Sequence, residues 1–171
     1  MSAKDEIYMR AALELAQKAC EQGEVPVGAV VVYQDSIVGT GYNRRERSKN
    51  ALAHAELEAI HQACENLGGW RLSGCTLYVT LEPCPMCTGA IINSRIDRVV
   101  FGATDKKAGS CGTLVNLFDF PYNHSPNITM GILQDECSRI LTDFFVNMRK
   151  KRGKRKWSSQ SHCFENMENH E

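Results

Sequence analysis

His54 and Glu56, two residues apart, and Cys84 and Cys87, three apart, are the residues whose types and spacing could do chemistry. One imidazole and two thiolates suit a tetrahedral Zn²⁺ ion whose fourth position stays open. Glu56 is then a carboxylate able to move protons beside that open position. Cys84 and Cys87 share one face at the opening turn of a helix, where free backbone amides and the positive end of the helix dipole favour thiolates. His54 and Glu56 lie about 200° apart around a regular helix. Both reach one ion only from the first turn, where side chains lean back toward the helix start. A helix beginning at or just before His54 is therefore expected.

Two thiolates and a neutral imidazole leave a zinc site near zero net charge. Such a site acidifies water less than a three-histidine site, where the water titrates at about 7. Two helix starts facing the ion restore about 0.3–1 kcal/mol each. A base beside the water supplies the remainder, and Glu56 is the available one. Two other readings use the same residues. Cys84 and Cys87 alone fit a thioredoxin-like redox pair. A structural zinc site would need a fourth protein ligand, with Cys75, Cys111 and His61 as candidates.

The elements that must position these residues follow from periodicity and punctuation. Ser2 can cap a first helix, in which Ile7, Ala11, Leu15 and Ala19 recur at helical spacing to about Gln22 before Gly23. Val25 to Tyr33 is a nearly continuous β-branched run, fit for a strand covered on both faces, and Ile37 to Tyr42 returns as a second strand. A charged loop over 43–50 precedes a helix from about Ala53 to Asn66, closed by Gly68 and Gly69. Thr76 to Leu81 is a third strand, and Pro85 opens a helix running to Ser94. Arg98 to Gly102 forms a fourth strand and Asn127 to Met130 a fifth, at the edge. A short helix or irregular piece over Leu114 to Phe118 lies between them, and a closing helix runs from Gln134 to about Arg149. Alternation of this kind predicts an α/β fold, a three-layer α/β/α sandwich around a five-stranded mixed sheet. Met86, Phe144 and Phe145 are expected to pack rather than to contact a cofactor.

With 171 residues, 43% hydrophobic and 23% charged, the chain fits one domain, residues 1–150, followed by a tail over 151–171. The tail, basic and then polar, is expected to be disordered. No apolar run is long enough for a membrane span, and the N-terminal residues lack a secretory pattern. A cytoplasmic protein is expected. Most of the eight cysteines stand singly in apolar surroundings, as small buried hydrophobes do. The zero formal charge hides an asymmetry. Residues 1–148 carry 13 Lys/Arg against 17 Asp/Glu, a balance of −4, whereas 149–171 carry 7 against 3, a balance of +4. A basic segment, Arg149–Lys156, on a mildly acidic body suggests a polyanionic partner.

His-x-Glu followed by Pro-Cys-x-x-Cys is the signature of the zinc nucleobase deaminases. The chain further resembles the bacterial tRNA-specific adenosine deaminases from about Tyr8 to Met148. The resemblance runs through Glu24-Val25-Pro26-Val27-Gly28, Gly41-Tyr42-Asn43-Arg44, Ala53-His54-Ala55-Glu56, Leu81-Glu82-Pro83-Cys84, Ser94-Arg95-Ile96 and Asp143-Phe144-Phe145. It implies a cytidine-deaminase-like fold, a homodimer and one Zn²⁺ per subunit. The activity it implies is conversion of adenosine to inosine at the wobble position of a tRNA anticodon. Glu56 would take a proton from the attacking water and deliver protons to the ring nitrogen and the departing ammonia. By that likeness Asn43 hydrogen-bonds the extruded nucleoside, and the backbone around Ala55 and Glu82 reads the base. Val27 and Leu81 wall the pocket, and Asp105 and Lys107 sit on a loop meeting the flanking nucleotides. Thr104 and Val146 stand where relatives often carry arginine. Phosphate contacts would then fall to Arg44, Arg45 and Arg47, or to the Arg149–Lys156 cluster, unless that cluster is only a solvated tail. A deaminase of free nucleosides and a zinc-stabilised RNA-binding module without turnover are the competing functions.

Overall fold

In the computed structural model, which describes residues 3–164 and the side chains of 3–151, five strands form one sheet in the order β2-β1-β3-β4-β5. They are β1 (Gly28–Tyr33), β2 (Ser36–Tyr42), β3 (Thr76–Leu81), β4 (Arg98–Ala103) and β5 (Asn127–Met130). β1 is antiparallel to both β2 and β3, while β3, β4 and β5 run parallel. The mixed sheet expected from the sequence is present. Five α-helices lie among the described residues: α1 (Ala3–Glu21), the short α2 (Arg45–Ser48), α3 (Ala55–Leu67), α4 (Pro85–Ser94) and α5 (Gln134–Phe164).

Alternation along the strands divides the core in two. Ala29, Val31, Leu77, Val79, Val99 and Phe101 pack with Ala59, Ile60 and Ala63 of α3 and Ile91 and Ile92 of α4. The intervening Val30, Val32, Tyr78 and Val100 pack with Met9 and Ala12 of α1 and Cys137 of α5. A strand points successive side chains to opposite faces, so the central strands β1, β3 and β4 serve both layers and the sandwich has three.

Close approach on both faces depends on glycine. A β-carbon on Gly41 would lie 2.1 Å from the Ala55 carbonyl oxygen, and one on Gly39 would lie 2.1 Å from that of Ala59. β2 therefore lets the first turns of α3 rest directly on its backbone, which fixes where α3 begins. On the other face a β-carbon on Gly28 would lie 2.0 Å from the Ala12 carbonyl oxygen. Small residues are what α1 needs there, and its buried stripe is Met9, Ala12, Ala16 and Ala19. Of the stripe expected through Ile7, Ala11, Leu15 and Ala19, Ala19 is buried, Ala11 and Leu15 pack half-buried against the core, and Ile7 is exposed. Asp5, buried in the first turn of α1, ties that helix to the sheet. It accepts hydrogen bonds from Tyr78 Oη at 2.9 Å and from Arg98 Nη1 at 2.8 Å.

Several boundaries differ from expectation. β1 begins at Gly28 rather than Val25. The charged 43–50 loop contains α2, and a 3₁₀ turn at Leu117–Asp119 replaces the piece expected over 114–118. α5 continues through Phe164, beyond the end expected near Arg149, so the tail expected to be disordered from 151 is helical that far. Lysine and arginine are good helix formers, so the backbone stays helical after the apolar periodicity stops. Ser2, residues 165–171, and the side chains of the basic cluster beyond Lys151 lie outside the described residues.

Candidate active site

Parallel sheets gather ligand sites beyond the carboxyl ends of their strands. Here β3 and β4 end at Leu81 and Ala103, and a cavity of about 430 Å³ opens beside those ends. Two helix starts converge on its floor. His54 is the N-cap of α3, with extended backbone at φ −89° and ψ 148°. Cys84 is the N-cap of α4, with Pro85 behind it as first helical residue. α3 thus starts one residue later than expected, at Ala55, and His54 caps it instead of opening it. A Ser, Thr, Asp or Asn at an N-cap would hydrogen-bond the helix's free amides. Neither His54 nor Cys84 makes such a side-chain bond. Their side chains turn to each other instead, and Asn43 Oδ1 accepts the Ala55 N–H of α3 from outside at 3.0 Å.

His54 Nδ1 lies 3.8 Å from Cys84 Sγ and 3.6 Å from Cys87 Sγ, and the three donor atoms all fall within 4.8 Å of one another. A tetrahedral ion with Zn–S near 2.3 Å and Zn–N near 2.0–2.1 Å separates nitrogen from sulfur by about 3.6 Å. The donor set and its spacing therefore fit a metal ion, and Nδ1 is the ring nitrogen that faces it. It is the one such group of metal-binding side chains among the described residues. Cys75, Cys111 and His61, candidates for a fourth ligand, are absent from it. Cys111 pairs with Thr88 Oγ1 at 3.6 Å, and His61 faces Glu65 on the surface of α3.

Glu56, at the second position of α3, is buried. Burial pushes its carboxyl up to about 7, opposed by its own backbone amide and by His54. The hydrogen bond from Cys87 holds the Cys84 thiol down at about 4, with His54 contributing in the same direction. Cys87 is correspondingly raised, by donating to Cys84 and by burial. His54 is raised as well, chiefly by its hydrogen bond with Cys84. The arrangement thus sets an imidazole, two thiols and a buried carboxylate together at the base of a cavity.

Most residues expected to bind substrate line that cavity: Val27, Asn43, Leu81, Glu82, Asp105 and Lys107. Ala55 lies behind it, buried, with its amide engaged by Asn43. Of the three arginines expected to contact phosphate, Arg45 lines the cavity. Arg44 donates to Glu58 Oε1 at 2.7 Å and Arg47 donates to Gln22 Oε1 at 2.6 Å. Phe144 packs as expected, whereas Phe145 is 44% exposed and lines the cavity.

Two buried carboxylates hold the rims; sequence reasoning named Glu82 for its backbone alone and gave Glu24 no role. Glu24 accepts the backbone N–H groups of Glu46 at 3.2 Å and Arg47 at 2.8 Å, fixing α2. Glu82 accepts from the loop after β4, at Asp105, Cys111 and Thr113. Nothing local in the sequence separates these acids from surface ones.

The family profile of the MafB19-like deaminases matches residues 3–149. The tRNA-specific adenosine deaminase of Bacillus subtilis is 50% identical over 150 residues, covering 87% of this chain and 93% of the relative. That of Haemophilus influenzae is 47% identical over 150 residues, covering 86% and 87%. Among solved structures, one from studies of A-to-I editing by tRNA:A34 deaminases at the wobble position of transfer RNA superposes with a TM-score of 0.77. It is 42% identical and covers 79% of this chain and 99% of its own.

Proposed function

This chain belongs to the MafB19-like deaminases and, within them, to the tRNA-specific adenosine deaminases, and from that premise we propose that it hydrolyses adenosine to inosine at the tRNA wobble position. The observation that carries the reading is the convergence of His54, Cys84 and Cys87 at two helix starts, with buried Glu56 beside them. Zn²⁺ held by His54 Nδ1, Cys84 Sγ and Cys87 Sγ would supply Lewis acidity that makes water a nucleophile at neutral pH.

The remaining steps belong to the protein. Glu56 removes a proton from the attacking water as its oxygen bonds to the carbon bearing the exocyclic amine. The protonated carboxyl returns that proton to the adjacent ring nitrogen, then passes the second to the departing ammonia. Water enters and ammonia leaves. A buried carboxylate beside the attacking water can work in both directions, taking the proton and then returning it. Val27 and Leu81 form apolar walls for the base, and the Asn43 carboxamide, oriented by the Ala55 amide, meets the nucleoside. Asp105 and Lys107 meet the flanking nucleotides. An anticodon loop suits so confined a cavity, since its bases are already unpaired and extruding one costs least there.

Residues 1–150 are the catalytic unit, a reading the family match over 3–149 supports, and 151–171 add a basic extension to it. By family likeness the enzyme is a cytoplasmic homodimer, which sedimentation equilibrium tests. No helix among the described residues is long and apolar enough to cross a membrane. The activity is tested by offering the zinc-loaded protein an anticodon stem-loop with a wobble adenosine beside free adenosine and free cytidine. Inosine in the stem-loop alone is expected. Turnover of the free nucleosides would move the assignment to a nucleoside deaminase, and stem-loop binding without turnover would leave an RNA-binding module.

A further inference from the structure

Glu82 follows the last residue of β3 and stands outside the His54, Cys84 and Cys87 group, yet it is among the largest fully enclosed side chains, 2% exposed at the mouth of the cavity. Its Oε1 accepts the N–H groups of Cys111 and Thr113, each at 3.0 Å. Its Oε2 accepts the N–H of Asp105 at 3.0 Å and the hydroxyl of Thr113. All four donors come from the loop after β4, and none lies within twenty residues of Glu82 in sequence. The loop wraps tightly around the carboxylate: a β-carbon on Gly109 would lie 2.4 Å from Oε2. That loop carries Thr104, Asp105, Lys106, Lys107 and Ala108 along the cavity wall.

The geometry points to Glu82 as a positioning residue, one that sets polynucleotide affinity by holding the 104–113 loop against the cavity; this rests on the deaminase reading above. A carboxylate is the only side chain that satisfies the arrangement. Both oxygens must accept, and in glutamine either orientation turns an NH₂ toward an N–H donor. The carboxylate is itself buried and its hydrogen bonds all go to that loop, so its influence passes through the loop. A second tie, the Ser110 N–H donating to the Pro83 carbonyl at 3.0 Å, joins the same loop to the turn that carries Cys84.

The test compares zinc-loaded wild type, Glu82→Gln and Thr113→Val on the stem-loop. Glu82→Gln is expected to raise KM about tenfold while kcat falls less than about threefold, and Thr113→Val to raise KM about threefold. Both keep one zinc per chain and exchange the amide hydrogens of Asp105 and Cys111 faster than wild type. Unchanged KM in both variants would overturn the proposal. So would zinc loss in step with activity, which would make Glu82 a support for the Cys84 turn alone. Should Glu82→Gln not fold, Thr113→Val, altered at an exposed residue, carries the same comparison. A wild type that makes no inosine would overturn the activity reading alone, because stem-loop affinity and amide exchange still decide the anchoring.

Discussion

At the scale of single residues, the site is two pairs of side chains whose duties differ by environment. Cys84 is held low by hydrogen bonds from Cys87 and His54, and Glu56 is driven up by burial. Replacing Glu56 by glutamine keeps the shape and removes the proton carrier. Deamination should then fall by about 10²–10⁴ while zinc content stays at one per chain, measured by turnover and metal analysis together. Retained turnover would remove Glu56 from the mechanism. The arginines divide as well. Arg45 lines the cavity with its charge acting on His54, whereas Arg44 is spent on Glu58. Arg45→Ala should lower the salt-dependence slope of stem-loop binding by about 1, and Arg44→Ala should leave it in place. Equal slopes for both variants would contradict this division. Four of these residues were legible in the sequence because metal chemistry demands few groups at short spacing. The Glu82 clamp was not. Its acceptors and donors are 23 to 31 positions apart, and only the parallel pairing of β3 with β4 brings them together.

Among the elements, placement of the chemistry depends on where α3 and α4 begin. α4 has a local signal, Pro85 behind Cys84, and its bounds were read correctly from the sequence. α3 begins at Ala55 because Gly41 lets the helix rest on β2 and Asn43 accepts the first amide. Gly41→Ala would drive a β-carbon into the Ala55 carbonyl. It should destabilise the fold by about 1–3 kcal/mol and weaken zinc retention, since His54 moves with the helix start. Urea denaturation and competition with a chelator measure the two effects, and an unaltered zinc affinity would show that α3 is positioned by other contacts. The same closeness places Ala12 and Ala16 of α1 against Gly28, a contact that hydrophobic spacing did not reveal, whereas Ile7 of the expected stripe is exposed. α5 escaped prediction differently: past Arg149 it has helix propensity without an apolar stripe, so periodicity is silent there.

For the molecule as a whole, the two core layers enclose groups that resist ionisation. Burial pushes Cys111 and Cys137 up to about 12 and Cys75 to about 11, from an ordinary 9.0, and Tyr78 is also raised, first by burial. Below about pH 9 these thiols are protonated whether the chain is folded or not, and stability is full. Above it the unfolded chain ionises first, so stability is lost as pH rises toward about 12. The urea midpoint under reducing conditions should therefore fall between about pH 8 and about pH 10.5. A midpoint that holds or rises would contradict the enclosure of these groups. The sandwich itself was legible from alternation in the strands. The measurement that bears most directly on the central claim follows oxygen. Zinc-loaded protein and a wobble-adenosine stem-loop, mixed in heavy-oxygen water, should yield inosine whose base carries the heavy atom. Absence of inosine, or inosine without the label, would contradict hydrolysis at this site.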